Sequence, residues 1–373
     1  MASSSTSSSI PPAVSAHIRF LTAVAAVMVV YIHGTTVGFT SGDWSDPSAW
    51  IQGYLSHNLF HVSLLIFFFC SAFLLFVGVD GIGDIGGKLR KRGRSLIVPY
   101  LLWSGLWLVV LLLARLVGNL DLGAQEAPSG VEAVLYRLFV DPVAGQLWFL
   151  RDLIVLTALS PLLFVLPRWV GPALLAAAYV VWLWVPTPTV IENRSGWWEI
   201  VSTEAIVWFL AGVVAARFLD LDKLDRILRD RRAWVSLASC VGYLLLPLAK
   251  GGPFMPASVA FGLSTTLGFV FLVSLYPWIA RLVHSEVVAR FGSFSFLLYA
   301  GHYPTLKIVG LSVVAILGPS AEVALATYAL APLVVIIGVI FGLSVLGRVW
   351  PGAVLALNGY RPVYPFLASR TVK

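Results

Sequence analysis

Ionisable side chains that interrupt long apolar stretches need explaining first, because a charge in hydrocarbon is expensive and by default marks function. His33 closes the run Ala23-Val24-Ala25-Ala26-Val27-Met28-Val29-Val30-Tyr31-Ile32. His57 and His61 stand four residues apart, which on an ordinary helix puts both on one face. Arg151 and Asp152 follow Trp148-Phe149-Leu150, Glu199 and Glu204 open another apolar run, and His302 and Lys307 lie inside a late one. Free imidazole has a pKa of about 6.5, so a neutral, proton-accepting ring is reachable near physiological pH. Guanidinium groups suit phosphate recognition, and Arg19, Arg92 and Arg94 sit at the ends of apolar runs. For His57, His61, Glu199 and Lys307 the competing reading is snorkelling or capping at a membrane interface. His33 and Glu204 lie deeper in their runs.

The elements that must position these groups follow from composition. Of 373 residues, 59% are apolar and 12% charged, against about 25% charged in soluble domains. One soluble core of this size cannot hide so much apolar surface. A bilayer-spanning helix needs about 20 mainly apolar residues, and ten such runs occur, near 17–39, 58–79, 95–117, 147–166, 169–186, 199–218, 233–249, 258–280, 291–315 and 323–347. They are continuously apolar rather than alternating, which excludes barrel strands. The expected fold class is all-α, a polytopic membrane protein of about ten transmembrane helices with cytoplasmic termini. An N-terminal tail (1–15), a membrane domain (16–348) and a cytoplasmic C-terminal tail (349–373) complete it, the last carrying Pro351, Pro362 and Pro365 against a long helix.

The net charge of +7 is orientation rather than nucleic-acid binding. With a cytoplasmic N-terminus and ten crossings, 19 of the 25 Lys and Arg fall on the inner side, the asymmetry of positive-inside topology. A multi-pass cell-membrane location and lipid contacts follow. Cys70 and Cys240 fall inside helices and are assigned neither a disulfide nor a metal. The first apolar run lacks a basic n-region and a cleavage site, so it reads as a retained helix. The segment 118–146 reads as irregular loop and 219–232 as a charged connector. No internal repeat is evident, which weighs against a transporter of inverted halves. Arg19 and His33 are fourteen residues apart, about 40° apart in facing and about 21 Å along the axis. That length is of the order of the arm joining the nucleotide and thiol ends of coenzyme A.

Five segments, in order, resemble the acyltransferase-3 family of membrane O-acyltransferases. Arg19 with Val29-Val30-Tyr31-Ile32-His33-Gly34-Thr35-Thr36 is similar to the family's Arg…Val-Val-x-x-His element. Phe67-Phe68-Phe69-Cys70-Ser71-Ala72-Phe73-Leu74-Leu75 resembles its Phe-Phe-x-x-Ser-Gly signature. Lys91-Arg92-Gly93-Arg94 through Pro99-Tyr100 resembles the basic entry to helix three. Leu147-Trp148-Phe149-Leu150 with Ser160-Pro161, and Ser295-Phe296 through Tyr299-Ala300-Gly301-His302-Tyr303-Pro304, resemble two later segments. The His-x-Thr-Thr form is closest to branches that O-acetylate surface polysaccharides. The sequence departs from the pattern at Thr22, where the family commonly has its helix-one arginine eleven residues before the histidine. Ala72 stands where glycine is usual, and the hydrolase-like domain fused to some members is absent.

The resemblance implies an O-acyltransferase, most simply an acetyltransferase, with cytoplasmic acyl-CoA as donor and a carbohydrate or glycolipid acceptor. Such a reaction needs a base for the hydroxyl proton and stabilisation of the thioester oxyanion. His33 is the candidate base, or the carrier of a covalent acyl group, with Glu204 or Asp152 as the carboxylate that orients it. Asp152 pairing with Arg151 is the alternative. Arg19, Arg92 and Arg94 are the candidate donor-binding residues, with topogenic or lipid-headgroup contact the alternative for the last two. Ser71, Trp148, Arg151 and His302 are candidates for lining the substrate path. No metal and no nucleic-acid partner are expected, and the oligomeric state stays open. A transporter or flippase of a lipid-linked or polysaccharide intermediate is the rival from another class, and a membrane scaffold without chemistry a third.

Overall fold

The computed structural model describes residues 10–35, 46–79, 81–118, 130–131, 136, 142, 144–184, 201–229, 233–249 and 255–363. Thr36, Glu199, Pro365 and most of the 118–146 segment lie outside these residues. Among the described residues the chain is helical, with no strand.

Local chemistry sets most helix ends. Helix α1 (Pro12–Ile32) begins on a proline, tolerated there because the first N–H has no helical partner. Helix α2 (Pro47–Phe76) is capped by Asp46, whose carboxylate accepts from the Ser48 amide at 2.9 Å, and it contains a π-helical turn over Tyr54–Leu59. Helix α3 (Ile82–Gly118) has 37 residues, roughly 55 Å of helix, and its basic early turns exceed what hydrocarbon about 30 Å thick can hold. Helix α4 (Trp148–Leu159) stops at Ser160-Pro161 and is followed by α5 (Val170–Trp184). Helix α6 (Thr203–Phe218) is capped by the Ser202 hydroxyl, 3.3 Å from the Ala205 amide. Then come α7 (Leu221–Arg229), α8 (Ala233–Leu245), α9 (Ala257–Ile279), α10 (Ser285–Ser293), α11 (Ser295–Leu317), α12 (Ala321–Val349) and α13 (Pro351–Leu357).

All ten expected runs form helix, but among the described residues seven spans are long and apolar enough to cross a membrane. These are α1, α2, α3, α9, α11, α12 and the segment Gly145–Val165 around α4. Helices α5 and α6 have 15 and 16 residues, or about 23 Å, short of the roughly 30 Å needed. Helix α8 with its terminal turn, Ala233–Ala249, is short as well.

The surface of the bundle is apolar. On α12, Leu330, Leu333, Val334, Ile337, Phe341 and Val345 are 41–68% exposed, a stripe at helical spacing. Helix α3 presents Leu102, Leu106, Val109, Leu113 and Leu116 in the same way. Such stripes suit contact with lipid, since a helix satisfies its own backbone groups except where an internal proline, Pro99 or Pro332, removes an N–H. At the centre, α1 packs against α2, α9, α10, α11 and α12, and its Ala25, Ala26 and Val30 are fully buried. Helices α2 and α6 approach most closely. A Cβ at Gly212 of α6 would stand 2.3 Å from the Phe69 carbonyl oxygen and 2.9 Å from Ala72. The glycine that lets these helices touch is on α6, opposite Ala72.

Candidate active site

Two sites lie at opposite stretches of α1. Near its N-terminus is a cavity of about 240 Å³, into which Ile18, Arg19 and Thr22 of α1 project together with Cys70, Ser71 and Leu74 of α2. Arg92, Ser293, Ser295, Phe296, Asn358 and Arg361 complete this end, and Phe67, Phe149 and Tyr299 lie farther along their helices. Arg92 donates to the Ser71 carbonyl at 3.3 Å. Arg19 and Thr22, one turn apart, both reach this cavity, so the early arginine faces the space where the family's usual position would.

Arg94 is not in the cavity wall; its guanidinium lies 3.9 Å over the Tyr360 ring. The cavity takes Arg361 instead, which rests 4.7 Å above Phe296. Three guanidinium groups thus share one cavity, and among the described residues Arg19, Arg92 and Arg361 form no ion pair. Arg92 and Arg361 are half-buried and Arg19 is exposed; partly buried cations without counter-charge fit an anionic ligand, because removing bare charge from water is unfavourable.

The second site is at the end of α1. His33 is the helix C-cap; its ring is 5.1 Å from that of His302 and 5.0 Å, edge to face, from that of Tyr303. His57 and Lys307 are its further electrostatic neighbours. A cleft of about 10 Å³ lined by His33, Gly34, Thr35, Lys307 and Thr327 opens beside it, room for one water-sized group. His302 is fully buried. Its Nδ1 stands 3.0 and 2.7 Å from the carbonyl oxygens of Leu298 and Tyr299. Carbonyls only accept, so the proton sits on Nδ1 and Nε2 is left as a bare acceptor. That Nε2 is buried and has no hydrogen-bond partner among the described residues.

The carboxylates are engaged elsewhere. Glu204 bonds His61 Nε2 at 2.9 Å. Asp152, fully buried, accepts from Arg151 at 3.1 and 2.7 Å and from the Ser202 amide at 3.0 Å. This is the Arg151 pairing left open by the sequence, and it ties the start of α4 to the start of α6. His57 and His61 do not act together: one neighbours His33 and the other takes Glu204. Trp148 stands beside Phe149, ring centres 6.4 Å apart.

Several site residues carried no sequence signal of their own. Tyr299 joins the two ends: its ring lines the cavity, its hydroxyl donates to the Gln146 carbonyl at 2.5 Å, and its own carbonyl holds His302. Gln146 in turn donates to the Ala300 carbonyl at 3.2 Å. Asn358 and Arg361 lay in a presumed tail. Only the His-x-Pro segment around Tyr299 and His302 offered a hint, through its motif.

A bundle of apolar helices with a basic cavity toward one end and paired imidazoles toward the other has the make-up of a multi-pass membrane protein. A family model described as an acyltransferase domain matches residues 17–346, and the chain belongs to this acyltransferase-3 family. It is similar to the succinoglycan biosynthesis protein ExoH of Rhizobium meliloti (strain 1021), 27% identical over 273 residues that cover 69% of each chain. No solved structure matches.

Proposed function

We propose that the protein moves an acyl group, most simply acetyl, from cytoplasmic acyl-CoA to a hydroxyl of a cell-surface glycan, glycolipid or related sugar. The observation that carries this reading is the layout of α1: Arg19 and Thr22 line a cavity rich in unpaired cations, and His33 meets His302 at the helix's other end. Eleven residues from Thr22 to His33 span roughly 16 Å, a distance for a thioester arm past Phe67, Phe149 and Tyr299. Membership of the family supports acyl transfer. The similarity to a succinoglycan biosynthesis protein favours a polysaccharide acceptor. The basic end is read as cytoplasmic and the membrane as the inner or plasma membrane, in line with the positive-inside rule. The described start of α1 and the C-terminal segment both reach the basic cavity, which suits termini on one side of the membrane.

In the reaction, the acceptor oxygen attacks the thioester carbonyl while His33 takes its proton. The C–S bond then breaks, the sulfur leaves with the proton returned by His33, and the products are an ester and free CoA. His302 Nε2, held as an acceptor by its tautomer, receives the other N–H of His33 when the ring turns toward it, and so steadies the imidazolium. Lys307, beside the same cleft, is placed to face the negative oxygen of the tetrahedral intermediate.

His33→Ala is expected to insert, fold and bind acetyl-CoA yet release no CoA thiol in the presence of acceptor glycan. Thiol release by the purified variant at the wild-type rate would remove His33 from the chemistry. Glycans from cells with and without the gene should differ by an acyl mass. Wild-type protein that releases no thiol with any glycan extract would favour a flippase.

A further inference from the structure

The family match ends at residue 346, yet the chain beyond it is built into the cavity. Helix α13 is followed by Asn358, then by Gly359 and Tyr360 in left-handed conformation, with φ of 63° and 60°. Trp103 Nε1 donates to the Leu357 carbonyl at 3.1 Å. A Cβ on Gly359 would stand 2.3 Å from the Ser95 carbonyl oxygen, so only glycine lets the segment press this closely on α3. Arg94 lies over the Tyr360 ring and closes the same contact from the α3 side. Asn358 Nδ2 reaches the carbonyls of Ser293 and Arg361 at 3.5 and 2.9 Å. These contacts deliver two polar groups to the cavity. One is the Arg361 guanidinium, which has no ion-pair partner among the described residues. The other is Asn358 Oδ1, on a residue 1% exposed, which is buried and has no hydrogen-bond partner among the described residues.

We propose that the segment Asn358–Arg361 is part of the donor-binding site, with Arg361 gripping phosphate at the nucleotide end of acyl-CoA and Asn358 Oδ1 accepting a hydrogen bond from the same ligand. The inference rests on the acyl-CoA reading above. Burial, and after it the nearby Arg92, bring Arg361 down to about 10, so it remains a cation near neutrality. An anion that meets Arg19, Arg92 and Arg361 satisfies all three groups at once, and the Asn358 oxygen suits an N–H or O–H donor. Arg94, Gly359 and Tyr360 are then positioning residues.

The test compares two ligands with the same thioester arm, acetyl-CoA and acetyl-pantetheine, the latter without phosphate. Purified protein is placed in nanodiscs of phosphatidylcholine alone, so that no anionic lipid competes. Wild type is expected to prefer acetyl-CoA strongly. Arg361→Gln should weaken acetyl-CoA binding about tenfold or more, in the range of one charge-assisted contact, and leave acetyl-pantetheine unchanged. Arg361→Lys should recover part of the preference. Gly359→Ala should act like Arg361→Gln by moving the segment. Equal weakening of both ligands, or acetyl-CoA affinity within twofold of wild type, overturns the inference while the donor reading stands. Wild-type protein that binds no acetyl-CoA overturns both. If Arg361→Gln weakens acetyl-CoA only when phosphatidylglycerol is included, the cavity serves a lipid headgroup and the inference falls.

Discussion

Two carbonyl oxygens decide what His302 can do. Leu298 and Tyr299 fix the proton on Nδ1, so the ring offers Nε2 only as an acceptor, next to a second imidazole 5.1 Å away. His302→Phe keeps a planar ring and removes the Nε2 acceptor together with the Nδ1 donor. Its kcat is expected to fall about 10²–10⁴-fold, the range for a lost acid–base partner, with KM for acetyl-CoA within about threefold of wild type. Steady-state thiol release checks both; an unchanged kcat would show that Nε2 is not used. The carboxylates teach the opposite lesson. Asp152 and Glu204 looked suited to orient His33, yet their bonds go to Arg151, Ser202 and His61. Nothing in the spacing of residues far apart along the chain says which helices will adjoin.

Among the helices, the tightest constraint is between α2 and α6. Gly212 has no room for a methyl, its ideal Cβ lying 2.3 Å from a backbone oxygen of α2. In a membrane, small residues at such contacts let backbones approach where no hydrophobic drive assists. Gly212→Ala should therefore destabilise by about 1–3 kcal/mol, the usual range for overpacking, and lower the melting temperature of the detergent-solubilised protein by several degrees. Gly310→Ala, at a site with nothing within 4 Å, serves as the control and should not. Equal melting of all three proteins would mean that α6 and α2 part at no loss. The sequence offered Ala72 as the departure from the family's small-residue pattern; the compensating glycine lay 140 positions away, legible only once the helices were seen side by side.

For the whole molecule, the proposed function requires the two ends to open on different sides of the membrane. Helix α11 runs from the cavity at Ser295 and Phe296, past His302, to an exposed Leu317, so the turn into α12 belongs to the imidazole end. In a background with Cys70 and Cys240 replaced by serine, Ala321→Cys should react with a membrane-impermeant maleimide on intact cells. Arg290→Cys, in α10 beside the cavity, should react only after lysis. The reverse pattern would invert the proposed topology and place the donor site outside.

Composition alone determined that lipid is the solvent and that the chain is helical: no arrangement of continuous apolar runs can satisfy backbone groups in hydrocarbon except as helices. The sequence likewise pointed to His33, because an ionisable group at the end of an apolar run has no cheap explanation. It did not fix the number of crossings, since helix ends depend on local capping. Nor could it show that Arg361 rather than Arg94 enters the cavity, or that His302 faces His33. Those facts depend on which surfaces meet in space, and side-chain partners across helices are chosen by packing over distances that a one-dimensional pattern does not record.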